Sequence, residues 1–210
     1  MKTVGENVSL ALERSNSVDD DIKAFVIKEV DRWVKLKVKT HRWDFMRTET
    51  SKAIVEADNS IDLADDYWKM YNAKLENSEG NKTPIEVKDR NAIDSVVNPT
   101  TKGTPYMCAV FGTELHFYYA ADKAYTIYYT YYKTQGDLTV DKIAPFPDDI
   151  IEQVAYIFAM QYDRIDTSKQ EIVLEHKLKN LRRGSEDEGV SGSEIGLDPH
   201  VFSVPPKNYI

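Results

Sequence analysis

The chain has 210 residues, with 27 Lys+Arg against 35 Asp+Glu and a formal net charge of −8. That length buries a full core in one domain, or in one domain with an appendage, and 41% hydrophobic with 30% charged residues excludes wholesale disorder. No apolar run approaches the roughly 20 residues that span a bilayer, the single cysteine, Cys108, excludes an internal disulfide, and the acidic balance argues against a sequence-independent nucleic-acid binder.

Residues 1–15 lack the apolar stretch of a secretory signal. A weak helix is expected over residues 4–14, where Val8, Leu10 and Leu12 give poor periodicity. Residues 17–42 predict a stronger one. Ser17 or an aspartate among Asp19, Asp20 and Asp21 caps its first turn, and Ile22, Phe25, Val26, Val30, Trp33 and Val34 recur at spacings of three and four. Its later turns carry Lys35, Lys37 and Lys39, which suit the negative end of a helix dipole.

From residue 47 to 134 the pattern turns to strands. Short ones are expected at 50–55 and 61–63 around an Asp58-Asn59 turn, then at 68–75 and 84–87. A brief helix is expected over 89–97. Strands at 106–111 and 114–119 flank a Gly112-Thr113 hairpin turn. Residues 125–133 are the clearest strand, nearly all aromatic or β-branched. Of the 13 tyrosines, seven fall between Tyr118 and Tyr132.

Helical texture returns after Pro147, with Asp148 or Asp149 as a cap and Ile150, Ile151, Val154, Ala155, Ile157, Phe158 and Ile165 as a buried face. Ser168 with Glu171 matches a capping box for a last helix that Gly184 is expected to stop. Residues 184–196 are rich in Gly, Ser, Asp and Glu and show no period. Val201, Phe202, Val204, Tyr209 and Ile210 then bring apolar groups back, which reads as an arm that docks on a partner. The arm is charged as well: residues 184–210 hold five acids and one lysine.

No catalytic constellation is legible, so no catalytic residue, metal site or cofactor is expected. The four histidines (His41, His116, His176, His200) are scattered, there is no P-loop or Gly-x-Gly-x-x-Gly, and Cys108 inside a strand reads as a buried inert thiol. Asp65-Asp66 and Asp148-Asp149 are adequately explained as turn or cap residues. Alternation puts Tyr125, Ile127, Tyr129 and Tyr131 on one face of their strand, and Tyr128 and Tyr132 on the other. These rings either fill a small sheet core or stack on a ligand, and the second option suggests a tyrosine-rich glycan-binding module.

The order of the pieces says more than any one of them. After the lysine-decorated helix comes His41-Arg42-Trp43-Asp44-Phe45-Met46-Arg47. Next is Ser60-Ile61-Asp62-Leu63-Ala64-Asp65-Asp66-Tyr67, which looks like a Leu-Pro-x-Asp-Phe element with Ala64 in place of proline. Gly103-Thr104-Pro105-Tyr106, the 123–133 tyrosine strand, Asp137-Leu138-Thr139 and Phe146-Pro147-Asp148-Asp149 follow. Over residues 17–166 this succession resembles the head-to-tail adaptor (connector) proteins of tailed bacteriophages.

The resemblance implies an α+β fold, with N- and C-terminal helices (1–46 and 145–183) bundled around an inserted antiparallel β-rich module (47–144) and a C-terminal docking arm (184–210). It implies a homo-oligomeric ring, typically of twelve copies, between the portal protein and a downstream nozzle or stopper in the virion neck. Such a ring assembles in the host cytoplasm, without membrane, and DNA passes through its lumen without sequence-specific binding. A stopper or tail-completion protein is the alternative of the same class. Trp43 and Phe45 are expected to pack the helix–sheet junction, and Lys35, Lys37, Lys39 and Arg42 are candidates for electrostatic contact with portal or DNA.

Overall fold

A computed structural model describes residues 1–17, 19–89, 91 and 101–187. Four helices, α1 (Val4–Ser15), α2 (Asp20–Thr40), α3 (Asp148–Tyr162) and α4 (Ser168–Asp187), flank the strand-rich segment in sequence. They enclose one core, which includes Val4, Val8, Val30, Val34, Ile151, Val154 and Leu178.

α1 exists in spite of its weak pattern, because its buried residues include small ones that a hydrophobicity reading passes over. Val4, Val8, Ala11 and Leu12 share one face with Gly5 and Asn7. Its four leading N–H groups, orphaned in an isolated helix, all find acceptors. Val4 N donates to the Lys142 carbonyl at 2.8 Å and Gly5 N to Val140 O at 2.9 Å. Glu6 N donates to Thr3 Oγ1, and Thr3 N to Glu6 Oε2, completing a capping box. The segment before α3 therefore caps α1, and a Cβ on Gly5 would lie 2.5 Å from Val140 Cγ1.

α2 buries Ile22, Val26, Val30, Val34 and Val38 at four-residue intervals and is capped by Asp19. Asp31, on a neighbouring row, accepts from Leu138 N at 2.8 Å and from Lys35 Nζ at 2.8 Å. The linker leading to α3 is thereby pinned to both α1 and α2.

Nine strands lie among the described residues: β1 (Arg47–Ile54), β2 (Ser60–Asp62), β3 (Tyr67–Glu76), β4 (Lys82–Val87), β5 (Lys102–Gly103), β6 (Met107–Phe111), β7 (Glu114–Phe117), β8 (Ala120–Ala121) and β9 (Tyr125–Lys133). Seven form one sheet in the order β1-β9-β3-β4-β6-β7-β2, and β5 pairs with β8. Laid flat, seven strands would put the two edges about 29 Å apart. The edge strands β1 and β2 are joined by residues 55–59 alone, which reach at most about 20 Å. The sheet therefore curls until its edges nearly meet, around a second core of Ile54, Leu75, Leu115, Phe117, Ile127, Tyr129 and Tyr131.

Several expectations need correction. The β module is mixed rather than antiparallel: β4 pairs parallel with β6, and β5 with β8. The long connection over 88–106 makes the β4–β6 crossover possible, which a hairpin turn cannot do. Most of the helix expected over 89–97 lies outside the described residues. Ile165 is exposed, because α3 ends at Tyr162 and Arg164 turns the chain with a left-handed φ of 57°. α4 begins at Ser168 itself, so Thr167 is the residue before it, and its hydroxyl binds Glu171 Oε1 at 2.6 Å. The helix continues through Gly184 to Asp187.

Candidate functional site

The turn between α2 and β1 gathers the largest side chains of the helical core. Trp43 is fully buried and donates its indole Nε1–H to the Lys37 carbonyl at 2.9 Å, satisfying one of the open carbonyls of the last turn of α2. Its ring meets Phe146 edge-on at 5.1 Å and stacks on Phe45 at 5.6 Å, and Phe45 in turn meets Phe146 at 5.2 Å. The Arg182 guanidinium of α4 lies 5.7 Å from the centre of the Trp43 ring. Trp43 therefore serves the helical core itself, while Phe45 is 39% exposed beside it. Met46, buried in the same turn, leads straight into β1.

The basic residues of this region divide by environment. Lys35 is clamped between Asp137 and Asp31, and these hydrogen bonds, Asp137 first, hold its ammonium above the ordinary lysine range. Asp137 is held below the ordinary carboxylate range by the same bond. Lys37 rests 5.9 Å from the Trp33 ring centre. Lys39 and Arg42 are exposed. Lys35 thus serves the fold, and Lys39 and Arg42 remain open to a partner.

Three of the β9 tyrosines face inward. Tyr125, Tyr129 and Tyr131 belong to the second core, so stacking on a sugar through Tyr129 and Tyr131 is sterically closed. Burial is the first cause that raises all three phenol pKa values. Tyr132, on the other face, packs against Trp68 and Tyr71. The tyrosine cluster at the surface is a different one, made by Tyr106, Tyr118 and Tyr119 with ring centres 4.6–5.8 Å apart. Sequence reasoning missed it because Tyr106 lies far from the tyrosine-rich strand.

Other candidate chemistry is local and structural. Cys108 is buried, which pushes its thiol up to about 12. His116 Nε2 lies 3.0 Å from Glu114 Oε2, two residues away on β7, and His41 packs on Trp43. Asp148, in the first turn of α3, accepts the Lys2 backbone N–H at 2.9 Å, which lowers its pKa. Among the described residues no group of three or more His, Cys, Asp or Glu is placed to hold a metal ion, and no helix is long and apolar enough to cross a membrane. The arm residues Val201, Phe202, Val204, Tyr209 and Ile210 lie outside the described residues.

What the fold does leave uncovered is apolar. Phe25 of α2 and Tyr162 of α3 meet at 5.3 Å and are exposed, as is Ile165 in the turn after α3, and Ile172 and Val173 stand out from α4. These side chains, the tyrosine cluster and the cations Lys39 and Arg42 are exposed or half-buried groups that a partner can reach. The sequence matches the family model described as SU10 adaptor protein over residues 4–184, and the chain belongs to this family of phage head-to-tail adaptors. The match ends where the Gly- and acid-rich tail begins. A search of the curated proteins finds no match to the chain.

Proposed function

We propose that the chain is a structural, non-catalytic virion protein that forms a homo-oligomeric ring, of twelve copies by family resemblance, between the portal and the next tail component. The observation that carries this reading is the adaptor-family match across the whole helical and β body. A closed ring of identical chains uses a heterologous interface, so each copy needs two different complementary patches. The exposed Phe25–Tyr162 pair and the α4 surface of Ile172 and Val173 supply two candidates. A net charge of −8 suits a lumen through which DNA slides, because acidic walls repel phosphate. The arm residues Val201, Phe202, Val204, Tyr209 and Ile210 hold neighbouring components together, and Lys39 and Arg42 meet an acidic partner.

The test is to mix the full chain with the purified portal of the same phage and image the product. Rings stacked on the portal are expected, at reduced occupancy once residues 188–210 are removed. Unchanged occupancy after truncation would sink the docking arm. Binding to a tail ring and not to the portal would make the protein a stopper or tail-completion component.

A further inference from the structure

The curled sheet ends in two unequal edges. β2 has three residues and offers little backbone to a partner. β1 has eight, in unbroken register with β9 from Arg47–Tyr132 to Ile54–Tyr125. Among the described residues, no backbone hydrogen bond outside the β9 ladder reaches residues 48–54. β2 is attached at the Ile54 end of β1 and is too short to face the rest.

Sheet proteins blunt such an edge with charged side chains, proline, a bulge, brevity or a covering loop. β1 has no proline and no bulge. Its single charge on the face shared with Ile127 is Lys52, near the Ile54 end. Residues 47–51 thus keep an unpaired backbone edge whose charges, Arg47 and Glu49, lie on the outer face, while the half-buried Thr48 and Thr50 lie on the inner face opposite Tyr131 and Tyr129.

The chain itself points to the occupant. Arg182 lies 5.7 Å from the Trp43 ring centre, four residues before β1 begins, so a late turn of α4 lies near the segment that leads into this strand. The residues just beyond Asp187 are Gly-, Ser- and acid-rich, which are poor strand formers. The first residues fit to pair are Val201-Phe202-Ser203-Val204, after a spacer of residues 188–200 that reaches about 40 Å at full stretch. A compact body of this length is itself about 40 Å across. The spacer is thus long enough to carry the segment past its own edge to the equivalent edge of the next copy.

We propose that residues 47–51 of β1 accept residues 201–204 of a neighbouring copy as an added strand, with Phe202 and Val204 covering the inner face beside Thr48 and Thr50. This rests on the ring reading above and names the acceptor of its arm. Main-chain hydrogen bonds supply the affinity, and the alternating side chains set the register. Every copy gives one segment and receives one, as a closed heterologous ring requires.

The experiment mixes full chains bearing Ser51→Cys with full chains bearing Ser203→Cys, assembles them on the portal, and adds a short bismaleimide. Ring formation is scored separately by imaging. Cys108 is buried and stays out of the reaction. A product at twice the chain mass is expected from the mixture. Adding Phe202→Asp should weaken it roughly tenfold, the effect of withdrawing one phenyl ring from burial. Amide exchange should slow across 47–51 in rings of the full chain and not in chains lacking residues 188–210. Rings that form without the two-chain product and without β1 protection would overturn the strand addition and leave the ring reading intact. A link that appears only within single chains bearing both cysteines would equally overturn it. If no rings form on the portal, the ring reading fails, and the strand addition fails with it.

Discussion

The Tyr131 hydroxyl donates to Asp66 Oδ1 at 2.6 Å, from β9 to the turn that opens β3. Thr134 N donates to the Asp66 carbonyl, also at 2.6 Å, so one aspartate holds the end of β9 by side chain and backbone together. A short bond to an ionised acceptor of this kind is among the stronger single hydrogen bonds in a fold. Replacing Tyr131 by Phe should cost about 1.5–3 kcal/mol. Asp66→Asn, which keeps an acceptor, should cost less. Urea titration of the full chain checks this through the midpoint at constant m. Equal losses for the two variants would contradict it.

Five tyrosines, at positions 67, 125, 129, 131 and 132, have phenol pKa values raised above 10.0, with burial as the first cause of each. Between 10.0 and the raised values the folded chain binds more protons than the unfolded one. Stability is therefore intact below pH 10 and falls as the pH rises through the folded pKa values. Phenolate absorbance should show an early phase from exposed rings and a late, cooperative one that coincides with loss of folded structure. A single smooth titration near pH 10 would refute the inward placement of β9.

Asp31 links α2 to the linker through Leu138 N, and Lys35 joins it there with Asp137. Asp31→Ala leaves the Leu138 amide without its acceptor and should lower stability by about 1–2 kcal/mol. Asp31→Asn retains the acceptor and should recover most of that loss at high salt, where the charge matters least. The thermal midpoint at low and high salt distinguishes the two contributions.

Gly5 is required by proximity. A Cβ there would meet Val140 Cγ1 at 2.5 Å and Val140 O at 3.0 Å. Gly5→Ala should destabilise by about 1–3 kcal/mol as the linker is pushed off α1. Val140→Ala in the same chain removes the side-chain contact but not the carbonyl, so rescue should be partial. Full additivity of the two changes in a double-mutant cycle would show that they do not touch.

Much of the fold was legible in the sequence where side-chain period carries it. Residues 125–133 were expected as a strand and are one, because a run of tyrosine, threonine and isoleucine suits a pleated surface and little else. The stripe of α2 and the Gly112-Thr113 turn were readable for the same reason, and Gly112 has the positive φ of 62° that the turn needs. α1 was only half legible, since Gly5, Asn7 and Ala11 are buried without being conspicuously apolar. The candidate site was less legible still. Lys35 looked like part of a basic stripe until Asp137, about a hundred residues away, closed on it.

The sequence by itself determined the four helices and the longer strands, and their order, because those follow from local spacing of apolar groups, caps and turn residues. The two-residue strands β5 and β8 carry no such period and were not legible. The tertiary structure alone decided which tyrosines are buried, since alternation defines two faces but only the curl of the sheet makes one of them the inside. It alone decided that β4 and β6 run parallel, that the linker caps α1, and that β1 is left as an open edge. Each of these depends on contacts between residues far apart in the chain, for which local periodicity holds no information.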